Sequence, residues 1–386
     1  MSYSPNLQKP SNSTNHYEED QQQQQQQIKS QSQKYEEIIS TLPKDQYGWL
    51  DEHYKIEGFW YDPVWAVGVL WAQENFQARS SDIILASFPK CGTTWLKALM
   101  FAIQKRNDRC LNDSTHPLLT TNPHKCVPYF ELQAHEDDPI TYLDSLPSPR
   151  LLGTHISYTS LPKSIINSGS KIVCICRDSK DVLASLWKFV NKIRSGRNML
   201  PLPLEEGFEL FCKGVCLSGP FWEYNSEYWN ASLERPNNVF FLKYEDLKKD
   251  TAFYVQKLAQ FMERPFSVDE KSKGVVKDII KLCSLENLSN LEVNKTGTFH
   301  LGSKAKVDNN AFFRRGNVGD SKTCLTPTMI KRLDEITKAK FRGSGLDLLP
   351  VSEDVQELPE VAKALKSAVP DGIFDEVSYN DWADAK

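Results

Sequence analysis

Residues 82–96 read DIILASFPKCGTTWL, and this stretch decides the fold. Its apolar start has the composition of a buried β-strand, and the helical pattern KALMFAIQKR follows at residues 97–106. A helix that begins directly after a strand leaves its first amides without intrahelical partners, and its dipole adds partial positive charge there. The stretch therefore predicts an anion site at a strand-to-helix turn.

The turn itself predicts a P-loop-like cradle. Gly92 lets the backbone approach an oxyanion closely, Thr93 and Thr94 offer amides and hydroxyls, and Lys90 brings a positive charge. Lys90 precedes Gly92, whereas the loop G-x-x-x-x-G-K-[ST] has its lysine after the second glycine. The structural alternative is an ordinary tight turn with Thr93 as the helix N-cap. Trp95 is large enough for the core, but its place just inside the helix also suits stacking on a base.

Composition bounds the possible functions. The chain has 386 residues, 40% of them apolar, and a formal net charge of -4 with a pI near 6. This balance gives no general attraction to nucleic acid or anionic membranes, so neither is predicted as a partner. The nine cysteines are scattered without zinc-ligand spacing, which predicts reduced thiols. There is no secretory signal and no run of about 18 apolar residues, so we expect a cytoplasmic protein without an evident obligate protein partner.

Three parts are predicted along the chain. Residues 1–33, with seven consecutive glutamines, carry too little apolar surface to fold and are predicted to be a disordered tail. Residues 34–350 form a single predicted domain. Residues 351–386 are an acidic extension, for which we expect one surface helix or no stable structure.

Four apolar runs have the pattern of β-strands. They occur in DIILASF (82–88), PRLLGTHI (149–156), SKIVCICR (170–177) and NVFFLKYED (238–246). Because helical patterns alternate with them, they predict a parallel sheet with helices on both faces, a three-layer α/β fold. Ligands of such folds bind outside the carboxyl ends of the strands. Lys90, His155, Arg177 and Tyr244 stand at those ends and are predicted to face one crevice.

The segment CRDSKDVLAS (176–185) adds a second candidate anion site. Its strand ends at Arg177, whose planar guanidinium suits a phosphate, and Ser185 adds a hydroxyl two helical turns later. Asp178 and Asp181 have the spacing of a helix-capping pair, which predicts a structural role for both. A surface arginine and a helix-face serine are the structural alternative.

A loop and a histidine complete the candidates. In NNAFFRRGNVGDSK (309–322), Arg314, Arg315 and Gly316 predict a mobile loop that closes on a phosphate, with a solvated basic turn as the alternative. His155 lies opposite the anion site, and an ordinary imidazole pKa of about 6.5 suits a proton acceptor. An isolated histidine can equally be a structural hydrogen bonder. The other six histidines lie in the tail or in polar or proline-flanked stretches and are not predicted site residues.

Together, in this order and spacing, the segments resemble the cytosolic sulfotransferase family, specifically its plant branch, over about residues 44–346. FPKCGTTWLKAL is similar to the family's 5'-phosphosulfate loop, CRDSKDVLAS to its 3'-phosphate segment, and FFRRGNVGDSK to its R-K-G-x-x-G-D-W-K-N loop. GTHISYTSLP is similar to the segment that holds the family's base. GVLWAQENFQARSSDI, TTNPHKCVPYFE and LCSLENLSNLEVNK are typical of the plant branch.

The resemblance implies transfer of a sulfuryl group from 3'-phosphoadenosine 5'-phosphosulfate (PAPS) to a hydroxyl of a small, apolar plant metabolite such as a flavonoid or a steroid. It implies His155 as the base and Lys90 as the group that stabilises the leaving phosphate, with no metal. The co-substrate-binding residues that it implies are Lys90, Cys91, Gly92, Thr93, Thr94, Trp95, Arg177, Ser185, Tyr244, Cys283, Leu285, Arg314, Arg315 and Gly316. The acceptor pocket is expected among the aromatics of GFWYDPVWAVGVLW (58–71) and around Tyr129 and Phe130, although these residues could equally be core.

Three positions depart from the family pattern. Ser321 replaces a tryptophan, Thr323 replaces an asparagine, and Leu285 replaces an aromatic residue that packs on adenine. Loss of one aromatic stack predicts weaker co-substrate binding, by about 1 kcal/mol. One alternative function is therefore a family member that binds PAPS, or its desulfated product PAP, with impaired turnover. Another is a P-loop phosphotransferase, which the position of Lys90 and the lack of carboxylates for Mg²⁺ at the strand ends disfavour.

Overall fold

A computed structural model describes residues 33–45, 48–50, 52–106, 115–301 and 305–348. The predicted extension, 351–386, lies outside these residues. So does the predicted tail, except for residue 33, which belongs to a helix at 33–40. The division of the chain into three parts therefore stays a prediction.

The secondary structure alternates between strands and helices. In chain order, the strands are β1 (Lys44–Asp45), β2 (His53–Ile56), β3 (Phe59–Tyr61), β4 (Ile83–Ser87), β5 (Leu151–Thr154), β6 (Lys171–Cys176), β7 (Val239–Lys243), β8 (Thr298–Leu301) and β9 (Ala305–Asp308). The α-helices are α1 (33–40), α2 (Pro63–Asn75), α3 (Thr93–Lys105), α4 (Pro123–Cys126), α5 (Pro139–Ser145), α6 (Lys163–Ser168), α7 (Ser179–Gly196), α8 (Leu204–Cys212), α9 (Phe221–Glu234), α10 (Tyr244–Lys249), α11 (Thr251–Phe261), α12 (Val268–Ser272), α13 (Val275–Leu282), α14 (Leu285–Asn290), α15 (Glu292–Thr296) and α16 (Pro327–Lys340). Short 3₁₀ helices span Pro117–Leu119, Glu131–His135, Asn309–Phe312 and Asp320–Thr323.

A four-stranded parallel sheet in the order β5-β4-β6-β7 organises the fold. Its strands are the four that the sequence predicts, which confirms the α/β fold class. Every residue of β4 and β5 is buried, although successive side chains point to opposite faces. Both faces of the sheet are therefore covered, as the continuous apolar runs predict.

Two antiparallel units flank this sheet. One has the order β1-β2-β3, and the other pairs β8 with β9. β3 leads into α2, where the Asp62 carboxylate caps the helix by accepting from the amides of Val64 and Trp65, at 3.0 and 3.2 Å. The cap fixes the start of the helix that carries Trp65.

A buried ion pair fixes the amino ends of β4 and β5. Arg150 donates from Nε and Nη2 to the two carboxylate oxygens of Asp82, at 2.9 and 2.6 Å, and both side chains are buried. Arg150 also donates to the carbonyls of Gln77 and Leu143. Asp82 precedes β4 and Arg150 precedes β5, so the pair holds these neighbouring strands in register at the edge opposite their carboxyl ends.

Replacement of Asp82 with asparagine is expected to lower the free energy of unfolding by about 3–5 kcal/mol. The buried Arg150 guanidinium would then keep only its longer contact, 3.6 Å, with the exposed carboxylate of Asp144. Urea unfolding followed by circular dichroism measures the change. The control is Glu335→Gln, which removes the exposed Lys331–Glu335 pair and should cost less than about 0.5 kcal/mol. If Asp82→Asn costs no more than this control, the ion pair does not hold the strands.

Candidate active site

A cavity of about 410 Å³ opens at the carboxyl ends of the parallel strands. Its volume lies in the range typical of small-molecule sites. Lys90, His155, Arg177 and Tyr244 follow four different strands, and all four line it. They share one cavity because parallel strands end at the same edge of the sheet.

Most of the predicted co-substrate residues also line this cavity. They are Lys90, Gly92, Thr93, Thr94, Trp95, Arg177, Ser185, Tyr244, Cys283, Leu285, Arg314 and Gly316. Two others do not. Cys91 is buried, and its amide already donates to the carbonyl of Phe88 at 3.2 Å. The side chain of Arg315 is 56% exposed and pairs with Asp320.

The start of α3 forms the cradle. Gly92, with a φ of 106°, is its N-cap, so the alternative of Thr93 as N-cap is wrong. A Cβ at residue 92 would lie 2.7 Å from Cδ2 of Tyr244, and the left-handed backbone also favours glycine. No side chain caps the first amides of α3. These amides are therefore available to an anion in the cavity.

Lys90 lies in the cavity wall with a φ of 72°. Its Nζ lies 3.9 Å from the centre of the Phe189 ring, and within the described residues it forms no ion pair. Desolvation, followed by repulsion from Arg314, Arg177 and Lys192, lowers the pKa of this amine to about 7. An anion bound beside it would restore its charge.

Arg177 has an unused donor. Its Nη2 donates to Asp181 at 3.1 Å and to the carbonyl of Asn317 at 2.7 Å, and its guanidinium lies 4.6 Å from the centre of the Tyr244 ring. Its Nε is buried and, in the described part of the chain, lacks a hydrogen-bond partner. Buried N–H groups without partners are rare in folded proteins. The geometry therefore fits an anion that accepts from Nε.

The two aspartates of the predicted capping pair have different contacts. Asp178 caps α7 by accepting from the amide of Lys180 at 2.8 Å. Asp181 instead accepts from the amides of Gly319 and Ser321, at 2.8 and 2.9 Å, and from Arg177. Both aspartates have structural roles. The prediction that they form a capping pair is wrong, because Asp181 holds the loop at residues 314–321.

Further contacts hold the same loop, residues 314–321, in place. Asp320 pairs with Arg314 and Arg315, and although burial raises its pKa, the bond from Arg314 and nearby positive charge hold that pKa below its ordinary value. The carbonyl of Gly316 accepts from the Tyr244 hydroxyl at 2.7 Å. A Cβ at Gly316 would lie 3.1 Å from Cδ2 of Leu285. The loop therefore packs on Tyr244 and Leu285, two of the predicted co-substrate residues.

His155 presents an unprotonated nitrogen to the cavity. Its Nδ1 lies 2.6 Å from the carbonyl of Ser87, which can only accept, so the proton belongs on Nδ1. Nε2 then accepts from the Tyr129 hydroxyl at 3.0 Å. Burial lowers the pKa of His155 to about 3, the bond to Ser87 opposes this, and Lys97 and Lys90 lower it further. His155 is therefore neutral at any physiological pH.

Several cavity residues were not among the sequence candidates. His124, which was not a predicted site residue, lines the cavity. Its Nε2 and the Thr94 hydroxyl form a hydrogen bond of 2.9 Å, and its ring stacks on that of Tyr129. Lys188 and Lys192 line the cavity from α7. Lys188 follows Ser185 by three residues and Lys192 follows Lys188 by four, so the helical period could have found them.

The structure agrees with some of the remaining expectations and differs from others. Of the aromatic candidates, Trp65 and Tyr129 line the cavity, whereas Phe130 is in the core and stacks on Phe76. Ser321 and Thr323, two of the departures from the family pattern, do not line it. Among the described residues, there is no cluster of three or more His, Cys, Asp or Glu side chains that could bind a metal ion. Within the same ranges, no helix has the length and apolar character of a membrane span.

The fold and the cavity define an α/β protein in which candidate anion-binding groups and a neutral histidine line one cavity. The chain belongs to the sulfotransferase family, because the model of the sulfotransferase domain matches residues 80–345. Cytosolic sulfotransferase 12 of Arabidopsis thaliana is 44% identical over 317 residues, which are 82% of this chain and 94% of the relative. The predicted family and enzyme class are thereby confirmed.

Solved structures agree with this assignment. A putative steroid sulphotransferase of Arabidopsis thaliana has a TM-score of 0.63 and 38% identity, covering 80% of this chain and 93% of its own. Mouse sulfotransferase SULT7A1, crystallised with PAP, has a TM-score of 0.58 over 82% of this chain and 98% of its own. At 24% identity, the mouse protein supports the fold alone. PAPS, which leaves PAP after sulfuryl transfer, is the co-substrate that the family membership indicates.

The affinity for PAP is expected to fall as pH rises from 7 to 9. An anion favours the charged form of Lys90, whose pKa without a bound anion is about 7, so above that pH binding must take up a proton. The dissociation constant should therefore rise by up to about tenfold per pH unit until the pKa of the complex is reached. Isothermal titration calorimetry measures it.

Lys90→Arg is the control for this pH dependence, because a guanidinium stays charged over the whole range while every other titrating group is kept. The slope should disappear in this variant. An equal slope in both proteins would assign the pH dependence to another group and contradict the role of Lys90.

Proposed function

We propose that this sulfotransferase acts in the cytosol and transfers the sulfuryl group of PAPS to a hydroxyl of a small, apolar, ring-bearing acceptor. One observation carries the proposal. The unprotonated Nε2 of His155 and the amine of Lys90 share one cavity with the start of α3 and with Arg177, whose Nε has no hydrogen-bond partner among the described residues. The start of α3 and Arg177 are the two candidate anion sites. A donor with phosphates at both ends of one nucleoside needs two such sites.

The donor would lie across the carboxyl edge of the sheet. The amides of Thr93, Thr94 and Trp95 would hold the 5'-phosphosulfate. Arg177, Ser185, Arg314 and the loop at Gly316 would hold the 3'-phosphate. Trp95 and Tyr244, whose ring centres are 5.7 Å apart, and the segment Cys283–Leu285 would enclose the adenine.

The residues of the chain support an in-line displacement at sulfur. The acceptor hydroxyl would displace the Tyr129 hydroxyl from Nε2 of His155, and Nε2 would then take the acceptor's proton as the acceptor oxygen bonds to sulfur. At the same time the bond from sulfur to the bridging oxygen breaks, and Lys90 would donate to that oxygen as it gains negative charge. The products are the sulfated acceptor and PAP, and the imidazolium releases its proton to solvent afterwards. Positioning and charge stabilisation, rather than a covalent intermediate with the chain, account for the rate.

The acceptor end of the cavity has aromatic walls. They come from Tyr61, Trp65, Tyr129, Phe189, Phe299 and Phe312. Such walls favour a flat, apolar acceptor, since rings pack well against edges and faces of other rings. The structural relative named as a putative steroid sulphotransferase is consistent with this class. The proposal of a cytosolic enzyme follows the names of the curated relatives.

The alternative of a binding protein with impaired turnover rests on Ser321 and Thr323. Neither lines the cavity, and the amide of Ser321 still holds the loop through Asp181. The contacts therefore favour an active enzyme. Of the three departures from the family pattern, only Leu285 is then expected to weaken co-substrate binding.

Incubation with radiolabelled PAPS and a panel of phenols, flavonols, steroids, hydroxy-fatty acids and desulfo-glucosinolates tests the proposal. We expect labelled product from at least one acceptor. His155→Ala should lower kcat by about 10²- to 10⁴-fold, because it removes the base. PAP affinity should persist, since His155 does not belong to the anion sites.

His300→Ala, which removes an exposed histidine outside the cavity, is the matched control and should keep full activity. PAP binding without product from any acceptor would favour the binding protein. Full turnover by His155→Ala would reject His155 as the base while leaving the enzyme class intact.

A further inference from the structure

Lys97 is a buried lysine that the reaction described above does not use. It lies on α3, four residues after Thr93, and its side chain is fully buried. Lysines are rarely buried without a charged partner. Lys97 forms no ion pair among the described residues, and its Nζ donates instead to the carbonyl of Val127 at 2.7 Å. Burial lowers the pKa of this amine well below its ordinary value, and Glu131 opposes the shift.

The amine has a fixed position beside the base. Its Nζ lies 3.2 Å from the centre of the Tyr129 ring. It also occupies the space that a side chain at residue 153 would fill, because a Cβ at Gly153 would lie 2.7 Å from Nζ. Gly153 is two residues before His155, on the strand that carries the base. The glycine therefore makes room for the amine.

Tyr129 connects the amine to the base. Its hydroxyl donates to Nε2 of His155 at 3.0 Å, while its ring contacts the Lys97 amine and the rings of Trp65 and His124. Burial raises the pKa of Tyr129 well above its ordinary value, so the phenol keeps its proton. When Nε2 carries a proton instead, the same hydroxyl oxygen can accept from it. A fixed phenol thus serves both protonation states of the base.

We propose that Lys97 is a positioning residue that holds the Tyr129 ring so that its hydroxyl keeps Nε2 of His155 in a fixed orientation until the acceptor hydroxyl displaces it. This inference rests on the proposed role of His155 as the base. A purely structural role would be filled at lower cost by an apolar side chain, because burial of an amine with one carbonyl partner is unfavourable. Methionine at this position would keep most of the packing volume but would lack the amine, which is bonded to the Val127 carbonyl and lies over the Tyr129 ring.

The test is a double-mutant cycle of Lys97→Met and Tyr129→Phe, assayed by sulfuryl transfer to the best acceptor. Lys97→Met should lower kcat by about tenfold to hundredfold, as expected for a misplaced catalytic group, with the KM for PAPS within about twofold of wild type. In the Tyr129→Phe background the same change should have less than about a twofold effect, because Lys97 acts through the phenol. Additive losses in the cycle, or an unchanged kcat in Lys97→Met, would overturn the proposal.

A second readout needs no turnover. The ¹⁵N resonance of the unprotonated Nε2 of His155 reports the bond from Tyr129, and Tyr129→Phe supplies its position without that bond. Lys97→Met should move the resonance toward that position at neutral pH, whereas the exposed control Lys125→Met should leave it unchanged. A resonance that stays at its wild-type position in Lys97→Met would reject the link.

The two readouts separate this inference from the proposed function. Absence of product with every acceptor would contradict the proposed enzyme activity, while the ¹⁵N resonance of Nε2 would still test the role of Lys97. If Lys97→Met does not fold, Gly153→Ala displaces the amine without removing it and should move the resonance in the same direction. An unmoved resonance in Gly153→Ala would then count against the proposal.

Discussion

The structure depends on the parallel pairing of β5, β4, β6 and β7. Parallel strands carry all their carboxyl ends to one edge, so the residues that follow them meet there whatever their distance in sequence. That edge receives Lys90, His155, Arg177 and Tyr244. Because α3 begins within a few residues of β4, its uncapped amides face the same space. The sheet therefore brings the proposed base and the two proposed anion sites together.

The features that the sequence predicts are those encoded within short segments. Each strand of the sheet is a run of apolar residues with a polar residue at its carboxyl end, and such runs need no knowledge of their neighbours. The cradle is equally local, because Gly92 and the start of α3 are adjacent in the chain. Strand order mattered little for the site, since any parallel order brings these four ends to one edge.

Features that depend on distant partners were not predicted. Asp181 has the spacing of a capping residue, but it bonds amides 138 and 140 residues away. His124 stands in a proline-flanked stretch, yet it reaches Thr94 across 30 residues. Lys97 has the pattern of an ordinary helix residue, and its meaning depends on Gly153 and Tyr129 in other segments. Tertiary contacts of this kind leave no periodic trace in one sequence.

A crystal structure of the protein with PAP tests the two-ended anion site most directly. We predict the 5'-phosphate within hydrogen-bond distance of the amides of Thr93 and Thr94 and the 3'-phosphate on Arg177, so that Nε of Arg177 gains its missing partner. His155 should then lie beside the 5'-phosphate, facing the aromatic end of the cavity. A nucleotide bound in the opposite direction, or with its 3'-phosphate away from Arg177, would contradict the account.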